Sequence, residues 1–455
     1  MHRKLYHYGF ILYGLLLVIA AIFFKERTIF TDISYHLFSI IKEGSFAFQN
    51  YRYGAVFTQI FPLAGYKLNL PLDTIMFIYS SAFPVYYITC YWICGTVLKQ
   101  YAVAMALLVS QVLFVTDTFY WIQSELPQGL AMLMVMTALL LSTGANQGLK
   151  LAMSVVVVMF TVFFHPLLWI PAAFIFLYFA IHWEVPKSKL IFFGAFVVFF
   201  LSFYLRHKLL VAEYDQNAMK AGNALWEQFP GWISIESNTV FLRDCLGKFI
   251  WIPVSVAGLS CLYMVQRKWL HLVLICGCSG AYVLLVNATY PQGDTAAFYI
   301  ENLYLPLGVM LAFPVIFDLL PALQGRGLAF PQFGLIAFTA LIRIYLAHDI
   351  YTVRLDWERK YLDKHHGQKL LVAATPAMLD TLIMTWGTPY EFWLLSTIER
   401  DRTASVVITD NIGGIEYTHW ERMSFVTPWG VFSYPELPGK YFILTDTVNK
   451  YQVIK

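Results

Sequence analysis

Apolar runs of membrane length, separated by short polar breaks, fill the chain as far as residue 347; beyond that the pattern changes. A helix crossing a bilayer needs about 20 mainly apolar residues. On that measure helices are predicted near 8–24, 72–97, 101–118, 126–143, 150–165, 167–183, 189–206, 249–265, 269–287, 302–319 and 331–347, about eleven spans in all. The stretch 51–70 is apolar but is broken by Pro62, Gly65 and Lys67. It reads as part of a long loop, 25–71, between the first two spans. Within that loop, Ile33, Leu37, Ile40, Ile41 and Phe48 fall on one side and Lys42 and Glu43 on the other. This periodicity predicts an amphipathic helix over 32–48, lying in the membrane interface, with Thr31 or Asp32 as its N-cap. After residue 350 charges return, and short β-type runs appear at 370–374, 405–409, 441–444 and 451–454. A helix is predicted from Pro389, with the proline in its first turn. The expected organisation is a membrane module over 1–349 and a small α/β domain over 350–455.

Composition agrees with that division. The chain of 455 residues is 59% hydrophobic, 18% aromatic and 13% charged, with mean hydropathy +0.60. A soluble domain carries roughly 25% charged residues. The net charge of +3 is too small to point to an acidic partner, and no nucleic-acid partner is expected. The local sign of charge is more useful. With the N-terminus inside, the inner breaks hold Arg3, Lys4, Lys99, Lys150, Lys187, Arg267, Lys268 and Arg326. The outer side then receives Asp32, Glu43, Glu125, His165, the loop 207–248, Asp294, Glu301 and the C-terminal domain. Positive charge inside is the expected bias, and it holds only if 51–70 does not cross. The first span reads as a retained anchor, because no small-residue cleavage site follows it. Trp226, Phe229 and Trp232 in the loop 207–248 suit an interface belt. Five of the six cysteines lie in apolar runs, so no disulfide framework is expected. Asn287-Ala288-Thr289 matches a glycosylation sequon at a helix end. Gly413-Gly414 reads as a turn, not as a nucleotide-binding fingerprint.

The acids on the outer side gather at helix ends. An ionisable group at the edge of a bilayer is costly unless it is paired or used. Asp32 is the foremost of these. His36 lies four residues on, so the two share a helix face, with Tyr35 beside them. Asp32 could equally be no more than a helix cap. Glu125 and Glu301 open later spans, and Glu125 could also be a cap. His165 joins two spans and could be a hinge residue. Arg343 stands well inside a span, with His348 just past it. An intramembrane arginine needs a partner, and a lipid phosphate is one such partner. Arg52 is a further phosphate candidate. No P-loop, HExxH, GxSxG or zinc-type cysteine spacing occurs, so ATPase, protease and hydrolase readings lack support.

A long loop after the first span that opens a helix with an acid, and the run Asp32-x-x-Tyr35-His36-Leu37 followed by Gly44, resemble the GT-C superfamily of integral-membrane glycosyltransferases. The run is similar to the Asp-x-x-Tyr-His stretch of oligosaccharyltransferases and of mannosyl- and arabinosyl-type transferases. The likeness covers residues 8–145 in arrangement and the later spans in topology. It implies a GT-C-like α-helical polytopic fold in a bacterial inner or plasma membrane, with the C-terminal domain extracytoplasmic. It also implies transfer of a sugar from a polyprenyl-phosphate donor to a glycan, lipid or protein acceptor. Asp32 would then be the base, with Glu125 as a second catalytic acid. Tyr35, His36, Arg52, His165, Glu301, Arg343 and His348 are the candidate substrate-binding residues. Many members place two acids together where this chain has Asp32-Ile33, so a divalent metal is only weakly implied. Competing readings are a transporter or flippase for a lipid-linked sugar or solute, an O-antigen-polymerase-type enzyme and a non-catalytic assembly protein. Transport would favour ionisable residues at mid-span and two repeated halves, and neither is evident.

Overall fold

A computed structural model of the chain describes residues 2–454 apart from 123–124, 143–146, 183–188, 211, 222, 292–296, 326, 366–368, 401 and 411–421. Lys187, Asp294, Arg326 and Gly413-Gly414 lie outside the described residues. The structure is 75% helical. In chain order the first helices are α1 (His2–Ile22), α2 (Phe24–Thr28), α3 (Thr31–Glu43), α4 (Val56–Lys67), α5 (Leu72–Trp92), α6 (Tyr101–Leu113) and α7 (Glu125–Leu141). Next come α8 (Gln147–Val162), α9 (Trp169–His182), α10 (Lys189–Leu209), α11 (Glu213–Ala221), α12 (Ala224–Glu227), α13 (Glu236–Leu246) and α14 (Trp251–Val265). The helical part ends with α15 (Trp269–Thr289), α16 (Ala297–Pro314), α17 (Leu320–Gln324), α18 (Ala329–Leu346) and α19 (His348–Lys364).

A helix occupies every stretch where hydropathy predicts one. Among the described residues, five helices are long and apolar enough to cross a membrane, or six if α13 and α14, bent by 85°, count as one span. Four further apolar helices, from Tyr101 to His182, are only 10–17 residues long. Helices α6, α7 and α16 form the centre and are buried almost throughout. Helices α10, α15 and α18 instead turn Val197, Leu201, Val273, Phe338 and other apolar side chains outward. Helices that are apolar all round and still exposed need a solvent other than water, as membrane helices do. Asn287 of the sequon is fully buried, bonded to Asn238 at 2.8 Å and to Tyr304, so it cannot be an acceptor for surface glycosylation.

The C-terminal region is a small α/β unit. Strand β1 (Lys369–Ala373) is followed by α20 (Pro376–Leu382) and α21 (Thr388–Arg400), and then by β2 (Ser405–Thr409), β3 (Ser424–Thr427), β4 (Gly430–Ser433) and β5 (Gln452–Ile454). Strand β1 lies between β2 and β5, parallel to both, and β3 and β4 form an antiparallel hairpin. The hairpin has no counterpart among the expected strands. Conversely, 441–444 is not a strand: its backbone is taken up by side chains and a loop. Trp393 Nε1 donates to the Tyr441 carbonyl, and Ile443 bonds Thr403 through both its N–H and its carbonyl.

Helix α3 departs most from expectation. It stops at Gly44, in the left-handed conformation at φ 61°, and its apolar stripe does not face lipid. Phe38 inserts among Tyr390, Trp393, Phe425, Phe432 and Phe442, with ring centroids 5.0–5.8 Å away. The stripe that reads as interfacial in sequence is the seam joining the first loop to the α/β unit. Below it lies a buried ionic hub, in which Arg354 of α19 pairs with Glu391 of α21 and, at 3.3 Å, with Glu358.

Candidate functional site

The seam determines how Asp32 is presented. The N-cap of α3 is neither Thr31 nor Asp32 but Phe30, which is extended and makes no side-chain cap bond. The job of a cap falls instead to a residue 360 positions away: the Thr31 N–H donates to Glu391 Oε1 at 2.5 Å. Gly387 permits this approach, because a Cβ there would stand 2.6 Å from the Thr31 Cα. With the Thr31 N–H satisfied from outside, the Asp32 carboxylate meets its own N–H at the helix start and keeps an oxygen for other partners. It accepts a hydrogen bond from Trp121 Nε1 at 2.8 Å and opens on a cavity of about 610 Å3.

Asp32, Arg52, Glu125 and His165 all line that cavity, together with Asn302, Tyr299 and Tyr214 from the helical part and Trp386 and Trp429 from the α/β unit. Sequence reasoning groups Asp32, Glu125 and His165 with Arg343 and ranks Arg52 lower; the cavity has Arg52 where Arg343 is expected. That reasoning does not find Asp215, which completes the network. Arg52 donates to Glu125 at 3.1 Å and to Asp215 at 2.8 Å. Arg206 lies 3.9 Å from the same Asp215 and donates to the Asn50 carbonyl at 3.3 Å. Burial works against the Arg52 charge, but the two carboxylates more than offset it and hold its pKa above the ordinary value. Burial pushes the Asp32 carboxyl up to about 6; the Trp121 bond opposes this and the Glu125 charge adds to it. Burial, then the Arg52 and Arg206 charges, keep His165 well below its usual pKa, so it is a neutral hydrogen-bonding group and not a phosphate-binding cation. Its Nδ1 accepts from the Leu167 N–H at 3.2 Å, which leaves the proton on Nε2.

The other five sequence candidates do not line the cavity. Tyr35 packs edge-on against Trp386 and Tyr390. His36 is fully buried, its pKa driven down to about 4 by burial, and it bonds Gln59, which in turn holds both the N–H and the carbonyl of Ala47. It braces the loop after α3. Glu301 accepts from the N–H groups of Thr116, Asp117 and Thr118 at 2.6, 3.2 and 2.9 Å. Arg343 donates to the carbonyls of Lys248, Val112, Leu113 and Val115. Val112, Leu113 and Val115 are at the end of α6 and its exit, and Lys248 lies between α13 and α14, so Arg343 has its partners within the protein and not in a lipid phosphate. His348 stacks on Phe23 at 4.3 Å and bonds Thr352.

Among the described residues no group of three or more His, Cys, Asp or Glu is placed to hold a metal ion. The carboxylates lining the cavity are Asp32 and Glu125, one held by Trp121 and the other by Arg52. Such a donor set does not fit a divalent cation, which takes several free oxygen ligands. No protein-family model, curated protein or solved structure matches this chain.

Proposed function

We propose that this protein is a GT-C-like membrane glycosyltransferase that moves a sugar from a polyprenyl-phosphate donor to an acceptor hydroxyl at the extracytoplasmic face. In this reading α5 and the short helices α6 to α9 also cross the membrane, which with the bent pair α13–α14 counted as one span gives about eleven, and the α/β unit lies outside. One observation carries the proposal: Asp32, with the Thr31 N–H beside it taken by Glu391, opens on a large cavity beside Glu125, Arg52 and His165.

The chemistry follows from the groups present. The acceptor hydroxyl gives its proton to the Asp32 carboxylate as its oxygen bonds to the sugar's anomeric carbon. The bond from that carbon to the phosphate oxygen breaks, and the electron pair leaves with the polyprenyl phosphate. A carboxyl with pKa about 6 is ionised at neutral pH and more basic than an exposed aspartate, as a general base should be. Arg52 offers fixed positive charge to the departing phosphate, and His165 Nε2 offers a neutral donor. Glu125 holds Arg52 in place and acts as a positioning residue. An outward-opening site has no access to cytosolic nucleotide sugars, which favours a lipid-carried donor.

The test is transfer by the purified protein in liposomes supplied with polyprenyl-phosphate sugars and candidate acceptors. Asp32→Asn is expected to lower transfer by roughly 10^2–10^4-fold, the usual contribution of a general base, with the protein still folded. A fully active Asp32→Asn protein would refute the proposal.

A further inference from the structure

The cavity is two-sided. Its charged floor comes from the helical part, and the α/β unit supplies Trp386 and Trp429. Trp429 stands at the tip of the β3–β4 hairpin and is 67% exposed while lining the cavity. The turn is held: the Trp429 N–H donates to Thr427 Oγ1 at 3.3 Å, and Thr427 Oγ1 donates to the Gly430 carbonyl at 3.0 Å. Trp386 meets Trp429 edge to face at 6.1 Å. Trp386 and Asp32 are the sequence neighbours of Gly387 and Thr31, which face each other so closely that a Cβ on Gly387 would stand 2.6 Å from the Thr31 Cα. Asn302 is a second, independent sign of a ligand. It lines the same cavity, is 4% exposed, and its Oδ1 is buried with no hydrogen-bond partner. A buried carbonyl oxygen left without a donor is a standing cost that a ligand hydroxyl would relieve.

We infer that Trp386 and Trp429 form a stacking platform for a neutral saccharide acceptor, with a sugar hydroxyl donating to Asn302 Oδ1. A pyranose ring has an apolar C–H face and a polar rim. Indole rings suit the first, and an orphan acceptor with a carboxylate suits the second. The inference rests on the transferase reading, whose acceptor it narrows from glycan, lipid or protein to glycan.

Binding can be tested without the reaction. An array of neutral mono- to tetrasaccharides is probed with the purified full-length chain in detergent, alongside Trp429→Ala, Trp386→Ala and Asn302→Leu. Trp429 is exposed, so its variant is expected to keep the native melting temperature. The expected result is retention of at least one glycan by the native protein and weakening of about tenfold or more in Trp429→Ala, the loss of one stacking partner. No glycan retained, or equal retention by all four proteins, would overturn the platform. Glycan binding without transfer by native protein would keep the platform and refute the transferase. Transfer with an acceptor KM unchanged in Trp429→Ala would do the reverse.

Discussion

Two acids, the half-buried Asp32 and the fully buried Glu301, look alike in the sequence: each stands at the start of a helix beside an apolar run. The structure uses them oppositely. Glu301 is consumed by backbone, its oxygens taken by three successive N–H groups and the Thr118 hydroxyl. Arg343 is likewise spent, on four carbonyls. Asp32 has the indole N–H of Trp121 as its side-chain partner and faces a cavity. A buried charge paired with backbone is a fastening; a buried charge facing a cavity is available for chemistry. Glu391 makes the difference, because it takes the Thr31 N–H and leaves Asp32 an oxygen for other partners.

Four changes would break or sharpen this contrast. Arg354→Met leaves Glu391 and Glu358 buried without their cation, and a loss of about 3–5 kcal/mol is expected, read by thermal or denaturant unfolding. Since Glu391 caps α3, transfer should fall with it. Arg343→Met strands the carbonyls at the end of α6. A loss of about 3 kcal/mol is expected, with activity per folded molecule unchanged. If Arg343 instead served a substrate phosphate, activity would fall while stability held. Gly387→Ala forces a methyl group against Thr31, for roughly 1–3 kcal/mol and a displaced Asp32. A rise in donor and acceptor KM together would show the displacement. The smallest effect is that of pH. If Asp32 is the base it must be ionised, so kcat/KM should be flat above pH 6 and fall about tenfold per unit below it. A profile flat down to pH 4.5 would remove Asp32 from the role.

The helical scaffold was legible because membrane length and hydropathy are local properties. Asp32, Glu125 and His165 were legible as a group because the alternation of charge in the sequence assigns them to one side; Arg343, expected with them, is replaced in the cavity by Arg52. Other parts were not. Arg343 pairs with carbonyls, which no side-chain pattern announces. The partner of Thr31 is 360 residues away, and the stripe 33–41 faces a protein surface that its own periodicity cannot distinguish from lipid. Asp215 lies on a short polar helix whose value comes only from Arg52 reaching it. Asn302 follows Glu301 directly, yet the acid turns to backbone and the amide to the cavity.

The decisive measurement is transfer and melting temperature recorded side by side for Asp32→Asn and Glu301→Gln. The folded Asp32 carboxyl, at about 6, lies above its ordinary 3.8, so its stabilising contribution is present below pH 3.8 and is lost as pH rises through 6. At neutral pH the ionised form is therefore a cost, up to ~3 kcal/mol before screening by the open cavity, which the amide removes. The account predicts that Asp32→Asn loses transfer and keeps or raises its melting temperature, whereas Glu301→Gln melts lower and keeps its activity per folded molecule. An active Asp32→Asn that melts lower, or an inactive Glu301→Gln of native stability, would contradict it.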